Sequence, residues 1–154
     1  MQVQSKHTIR AWRFAKCDPS VRYLITPLTA MAKQQLLVDN SKIVHGKGSK
    51  DVKMDLTFGA YADEAARYGV LDIEGLFEKK KPFKIIKDTV AELGMKTKVR
   101  DDCWKQIPEV LKSELFDAVL AITELPEKEI ESLGFTLLLP GMDWKNAPVA
   151  KPKK

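Results

Sequence analysis

The chain has 154 residues, of which 44% are apolar and 31% charged, with a net charge of +5. That is the size of one domain, and it holds enough apolar residues for a real core. No apolar run approaches the ~20 residues needed to span a bilayer, so no membrane partner is expected.

The opening MQVQSKHTIRAWRF has no apolar h-region, so no secretory signal is expected in these residues. The two cysteines, Cys17 and Cys103, stand far apart and without metal-ligand spacing. Reduced thiols in a cytosolic protein are the simplest expectation, with a bridge between them as the alternative.

Charge is spread unevenly. Residues 1–60 hold ten Lys/Arg against four Asp/Glu, residues 61–140 twelve against sixteen, and residues 141–154 four against one. Basic ends around an acidic middle suit phosphates, an acidic surface on a partner, or the acidic middle of a second copy. No basic stretch has the aromatic interleaving of single-strand binders.

In chain order, residues 1–26 read as an N-terminal strand pair or arm. Ile9, Trp12 and Phe14 fall in the first run, and Val21, Tyr23 and Ile25 alternate in the second. Asp18–Pro19–Ser20 supplies the turn. Thr26–Pro27 predicts a helix start, with Leu28, Met31, Ala32 and Leu36 on one face and an end near Asn40. SKIVHGKGSKDVK reads as an exposed loop or a loose hairpin. Residues 55–68 form a second helical pattern, with Phe58, Ala62, Ala65 and Ala66 on one face and Gly69 as the cap. Then VLDIEGLFEKKKPFKII is an extended connector, Asp88–Leu93 one more helical turn, and KTKVRDD a charged linker.

The clearest pattern follows. Leu111, Leu115, Ala118, Val119 and Ile122 line one face of a helix that starts at Pro108 and stops at Leu125–Pro126. A short helix with Ile130 and Leu133 then ends at Gly134. FTLLLPG is too apolar for water and is expected to pack on the core. The expected fold class is α+β and mainly helical: short N-terminal strands followed by a small helix bundle. Residues 1–134 form a single domain, and 135–154 a C-terminal segment with a flexible basic tail.

Few residues suggest chemistry. His45 in IVHGKG has no Cys, Asp or second His at ligand spacing, so a solvated loop histidine outweighs a general base or metal ligand; His7 is no better placed. GKGSKD at 46–51 has the wrong order for a phosphate loop. Cys103 stands beside Asp101 and Asp102, which oppose a reactive thiolate. Asp63, Glu64, Glu114, Asp117, Glu124, Glu127, Glu129 and Glu131 fall mostly on polar helix faces. Catalytic residues, metal ligands and a cofactor are therefore not expected. Lys79, Lys80 and Lys81 either grip an anionic partner or keep a turn soluble. Trp12 and Trp104 read first as core. Trp144, in a charged tail with prolines, is the preferred contact residue. The partner-binding candidates are Trp144, Trp12, Lys79, Lys80 and Lys81.

Four stretches carry a family likeness: YLITPLTAMAKQQLL, AARYGVLDIEGL, KKKPFKI and QIPEVLKSELFDAVLAITELPEKEIESL. Their order resembles the tail-assembly chaperones and related small assembly proteins of long-tailed bacteriophages, over roughly residues 21–134. The arm with Trp12, the glycine-lysine loop at 46–51 and the basic tail depart from that pattern. The resemblance implies a non-enzymatic protein in the cytoplasm of an infected bacterium or in the virion. Its partner would be a tape-measure or tail-tube type protein, or a second copy. The competing expectation is a nucleic-acid-binding accessory protein that uses the basic arm and lysine tail, with affinity that falls steeply with salt.

Overall fold

The computed structural model describes residues 9–45, 52–56, 58–139 and 141–144. Strands β1 (Arg10–Phe14) and β2 (Arg22–Ile25) form the expected antiparallel hairpin, with Trp12 opposite Leu24. Its turn is fixed by Asp18, whose carboxylate accepts from both the N–H and the hydroxyl of Ser20. Helix α1 (Ala30–Asp39) starts three residues later than Thr26 would place it. Thr29 is the N-cap and accepts from the N–H of Ala32. Residues 26–28 stay outside the helix because other elements hold them. The N–H of Thr26 donates to Gly69 and that of Leu28 to the Thr123 hydroxyl. Leu28 therefore does not share the helix face, and Met31 is 63% exposed.

Strands β3 (Ser41–His45) and β4 (Val52–Leu56) pair as an antiparallel hairpin. Helix α2 (Phe58–Gly69) follows, then β5 (Val70–Glu74). Gly69 is needed for a reason other than capping: a Cβ there would stand 2.5 Å from the Val119 side chain, so α2 and the helix that carries Val119 meet closely. Two further hairpins come next, β6 (Phe77–Glu78) with β7 (Lys81–Pro82) and β8 (Lys87–Glu92) with β9 (Met95–Val99). Helices α3 (Asp101–Trp104), α4 (Glu109–Glu124) and α5 (Glu127–Ser132) lead to β10 (Thr136–Leu138).

The mainly helical expectation is overturned. The centre is a four-stranded antiparallel sheet in the order β10-β1-β2-β5, and three two-stranded hairpins stand beside it. Residues 87–99, expected to hold a helical turn and a linker, are the β8–β9 hairpin. Leu93 and Gly94 both have positive φ (56° and 75°), as a two-residue type I′ turn requires. The short helix instead begins at Asp101.

Alternation along the strands splits the sheet into two faces. Ala11, Tyr23, Ile25 and Ile73 join the main core with α2 and α4. There α4 buries Leu111, Leu115, Ala118, Val119 and Ile122, as the spacing predicts, and Phe116 as well. Each large apolar side chain buried in this way stabilises the fold by roughly 1.5–3 kcal/mol. The opposite face holds a smaller cluster of Trp12, Leu24, Leu138 and Trp144. Because β10 pairs with β1, residues 136–138 complete the central sheet.

Candidate partner-binding site

The five sequence candidates divide into two groups, the tryptophans and the lysines. Trp144 is 5% exposed and Trp12 is 2% exposed, with ring centroids 6.3 Å apart in an edge-on contact. The Arg22 guanidinium lies over both rings, 4.4 Å from the Trp144 centroid and 5.5 Å from that of Trp12. It is also paired with the Glu74 carboxylate through a 2.7 Å hydrogen bond. A hydrogen bond from the Arg10 guanidinium to the Met142 carbonyl ties down the segment that brings Trp144 in. These rings are turned inward, so the expectation that Trp144 offers its face to a partner is corrected. Its neighbours in sequence are polar, but its neighbours in space are the apolar outer face of the sheet. Trp12 Nε1 is buried with no acceptor among the described residues.

Lys79, Lys80 and Lys81 lie elsewhere, at the tip of the β6–β7 hairpin, and all three are exposed. Phe77 faces Pro82 and Glu78 faces Lys81 in the ladder, which leaves Lys79 and Lys80 as the two turn residues. Their φ values are 48° and 69°. A left-handed conformation costs a lysine about 1 kcal/mol or more that glycine would not incur. None of the three forms an ion pair among the described residues. Beside them Phe77 is 71% exposed.

Under the hairpin lie two open concavities. One, of about 320 Å³, is lined by Leu76, Phe77, Glu78, Phe83, Gln106 and Pro108. The other, of about 460 Å³, runs between residues 72–77 and residues 82–85. The hairpin is anchored where Phe83 N–H donates to the Leu76 carbonyl at 2.8 Å. Gly75 sets its direction with φ 97°, and a Cβ there would stand 2.2 Å from the Ser20 carbonyl oxygen. Only glycine fits that bend.

Glu114 is a residue that sequence reasoning placed wrongly. The spacing places it on a solvated face, yet its carboxylate accepts from the N–H groups of Lys16 and Cys17 and from the Tyr23 hydroxyl, at 2.8–3.0 Å. The Arg13 guanidinium stands 3.8 Å away. Burial pushes the Glu114 carboxyl up, but those donors outweigh it and hold it below its ordinary value. Burial, reinforced by Glu114, pushes the nearby Cys17 thiol up, which disfavours a reactive thiolate. The signal for Glu114 was present: it stands three residues after Leu111 and four before Ala118, at the edge of the apolar stripe. The network ties α4 to the β1–β2 turn.

Other candidates are dispersed. Cys103 is buried and Cys17 is exposed, and both are free. Asp63 accepts from Trp104 Nε1 at 3.1 Å. His45 ends β3 opposite Val52. His7, the loop at 46–50 and the tail from 145 onward lie outside the described residues. Among the described residues, no cluster of three or more His, Cys, Asp or Glu side chains is placed to hold a metal. No helix among them is long and apolar enough to cross a membrane. Comparison with protein-family models, curated proteins and solved structures gives no match.

Proposed function

We propose that this chain is a non-enzymatic assembly protein, of the phage type that its segment order resembles, and that it docks another polypeptide at the β6–β7 corner. The observation that carries the docking reading is the grouping of three lysines that form no ion pair among the described residues, an exposed Phe77 and the cavity beneath it. An exposed aromatic at the mouth of an apolar cavity, with charge at the rim, is the usual make-up of a contact that anchors by burial and orients by charge. The phage assignment rests on the four sequence stretches alone. The setting that goes with it is the cytoplasm of an infected bacterium or the assembled particle.

The test is affinity purification of the tagged chain from its native host at about 0.15 M and about 0.5 M salt, where screening lengths differ roughly twofold. Wild type and Phe77→Ser are compared. A stoichiometric protein that survives the higher salt with wild type, and is lost with F77S, is the expected result. Nucleic acid recovered at low salt and lost at high salt would replace this reading with the accessory nucleic-acid one.

A further inference from the structure

The corner adjoins the outer edge of β5, to which no strand is laddered among the described residues. The Ala15 N–H donates to the Val21 carbonyl at 2.8 Å, and this sets the phase of the β1–β2 ladder. Hydrogen-bonded pairs alternate with non-bonded ones in an antiparallel ladder. Arg13–Tyr23 and Ala11–Ile25 are therefore the bonded pairs of β1–β2. Arg22 and Leu24 turn their backbone groups the other way, toward Glu74 and Asp72 of β5. Ile73, between those two, presents its N–H and C=O on the outer side, where no strand among the described residues is laddered to β5. There the Ile73 N–H is bonded at 2.8 Å by the carboxylate of its own neighbour, Asp72. A side chain stands where a strand would, and Ile73 is only 2% exposed, so a docking segment must displace that cover. The 460 Å³ cleft runs along this edge, with residues 82–85 as its far wall.

We infer that the outer edge of β5 is the docking line for an extended polypeptide segment that alternates apolar and acidic residues. This deepens the reading of the corner as a partner site and rests on it. The backbone of the segment would pair with Ile73 and displace the Asp72 carboxylate. One of its apolar side chains would fill the 320 Å³ cavity against Leu76, Phe77 and Phe83. Its carboxylates would face Lys79, Lys80 and Lys81. Strand addition of this kind takes affinity from main-chain bonds and specificity from side-chain pockets on alternate residues.

A polypeptide fits this cleft better than a nucleic acid does. Asp72 and Glu74 line the same cleft as Lys84, and Glu78 lines the cavity. A phosphate backbone carries charge at every nucleotide and would meet those carboxylates. A peptide can place its acidic residues only where lysines stand.

The test is selection of random dodecapeptides on the full chain, followed by affinity measurement of the enriched peptides. The variants are F77S and the triple change Lys79→Asn, Lys80→Gly, Lys81→Ser, which keeps the turn while removing its charges. The expected peptides alternate apolar and acidic residues and bind the triple variant at least about fivefold more weakly, as three rim ion pairs allow. They also slow hydrogen exchange at the Ile73 amide. Three results would overturn the inference: no enrichment, binding that leaves the Ile73 amide unprotected, or an oligothymidylate that binds more tightly than any selected peptide. Enriched peptides with no acidic bias that still fail on F77S would also overturn it, while leaving the corner standing as a polypeptide site. Peptides indifferent to both variants would remove both readings.

Discussion

The outer face of the sheet and the β6–β7 corner both combine aromatic rings with cations, and they use them in opposite ways. On the sheet face the rings are buried and the cation is satisfied: Arg22 lies over Trp12 and Trp144 and is bonded to Glu74. At the corner Phe77 is exposed, and Lys79, Lys80 and Lys81 have no ion pair among the described residues. Residue type therefore does not separate the two regions. Burial of the ring and pairing of the charge do, and both depend on which elements meet in space. If the sheet-face cluster is structural, Trp144→Ala should cost about 3–5 kcal/mol, the range for truncating a buried tryptophan. Chemical denaturation checks this, and a loss below about 1 kcal/mol would return Trp144 to the list of contact residues.

The next effect tests whether buried charge is matched inside the fold, in contrast to the exposed lysines of the corner. Glu114→Gln should destabilise by roughly 1.5–3 kcal/mol, since charge-assisted hydrogen bonds are lost or weakened. Its sign with pH is fixed by the lowered carboxyl. The extra stability of wild type over E114Q is complete above the ordinary glutamate value of 4.5 and is lost as pH falls through the depressed one. Denaturation of both proteins between neutral and acid pH should show the two curves converging. A gap that persists at the acid end would assign the effect to packing. The lysines should behave otherwise. Lys79→Asn with Lys80→Gly should raise stability by about 1–2 kcal/mol, because both turn residues then suit positive φ. An unchanged melting curve would mean that the turn carries no strain.

How much of this was legible in the sequence follows from what each element depends on. The β1–β2 hairpin and α4 were readable because their periods are regular and their ends carry Asp18–Pro19–Ser20, Pro108 and Pro126. The β8–β9 hairpin was not, since Lys87–Glu92 is mostly exposed and lacks an apolar alternation. Its turn uses Leu93, an uncommon choice at positive φ. That choice makes sense only in the fold, where Leu93 packs on the core and its carbonyl accepts from the Thr29 hydroxyl. The start of α1 was misplaced because the competing partners of residues 26 and 28, at Gly69 and Thr123, are remote in sequence. At the site, the lysines were legible as an exposed charge run. Phe77 and the Ile73 edge were not, because strand order decides which edge carries no ladder. A lone tryptophan in a polar tail resembles an anchor until the sheet face it covers is known.

The smallest stability effect is also the sharpest test of the comparison. Phe77→Ser should change folding free energy by no more than about 0.5 kcal/mol, because a ring 71% exposed has little buried area to lose. Removing a structural ring such as Trp144 should cost several times more. If Phe77 is a contact residue, its cost must appear in binding, where one anchoring aromatic commonly accounts for 2 kcal/mol or more, about a thirtyfold loss of affinity. Paired denaturation and binding measurements on F77S separate the two roles. Equal losses in both would place Phe77 with Trp144 as part of the packing. A binding loss at unchanged stability would leave the ring with no purpose inside the chain, which is the condition that distinguishes the corner from the sheet face.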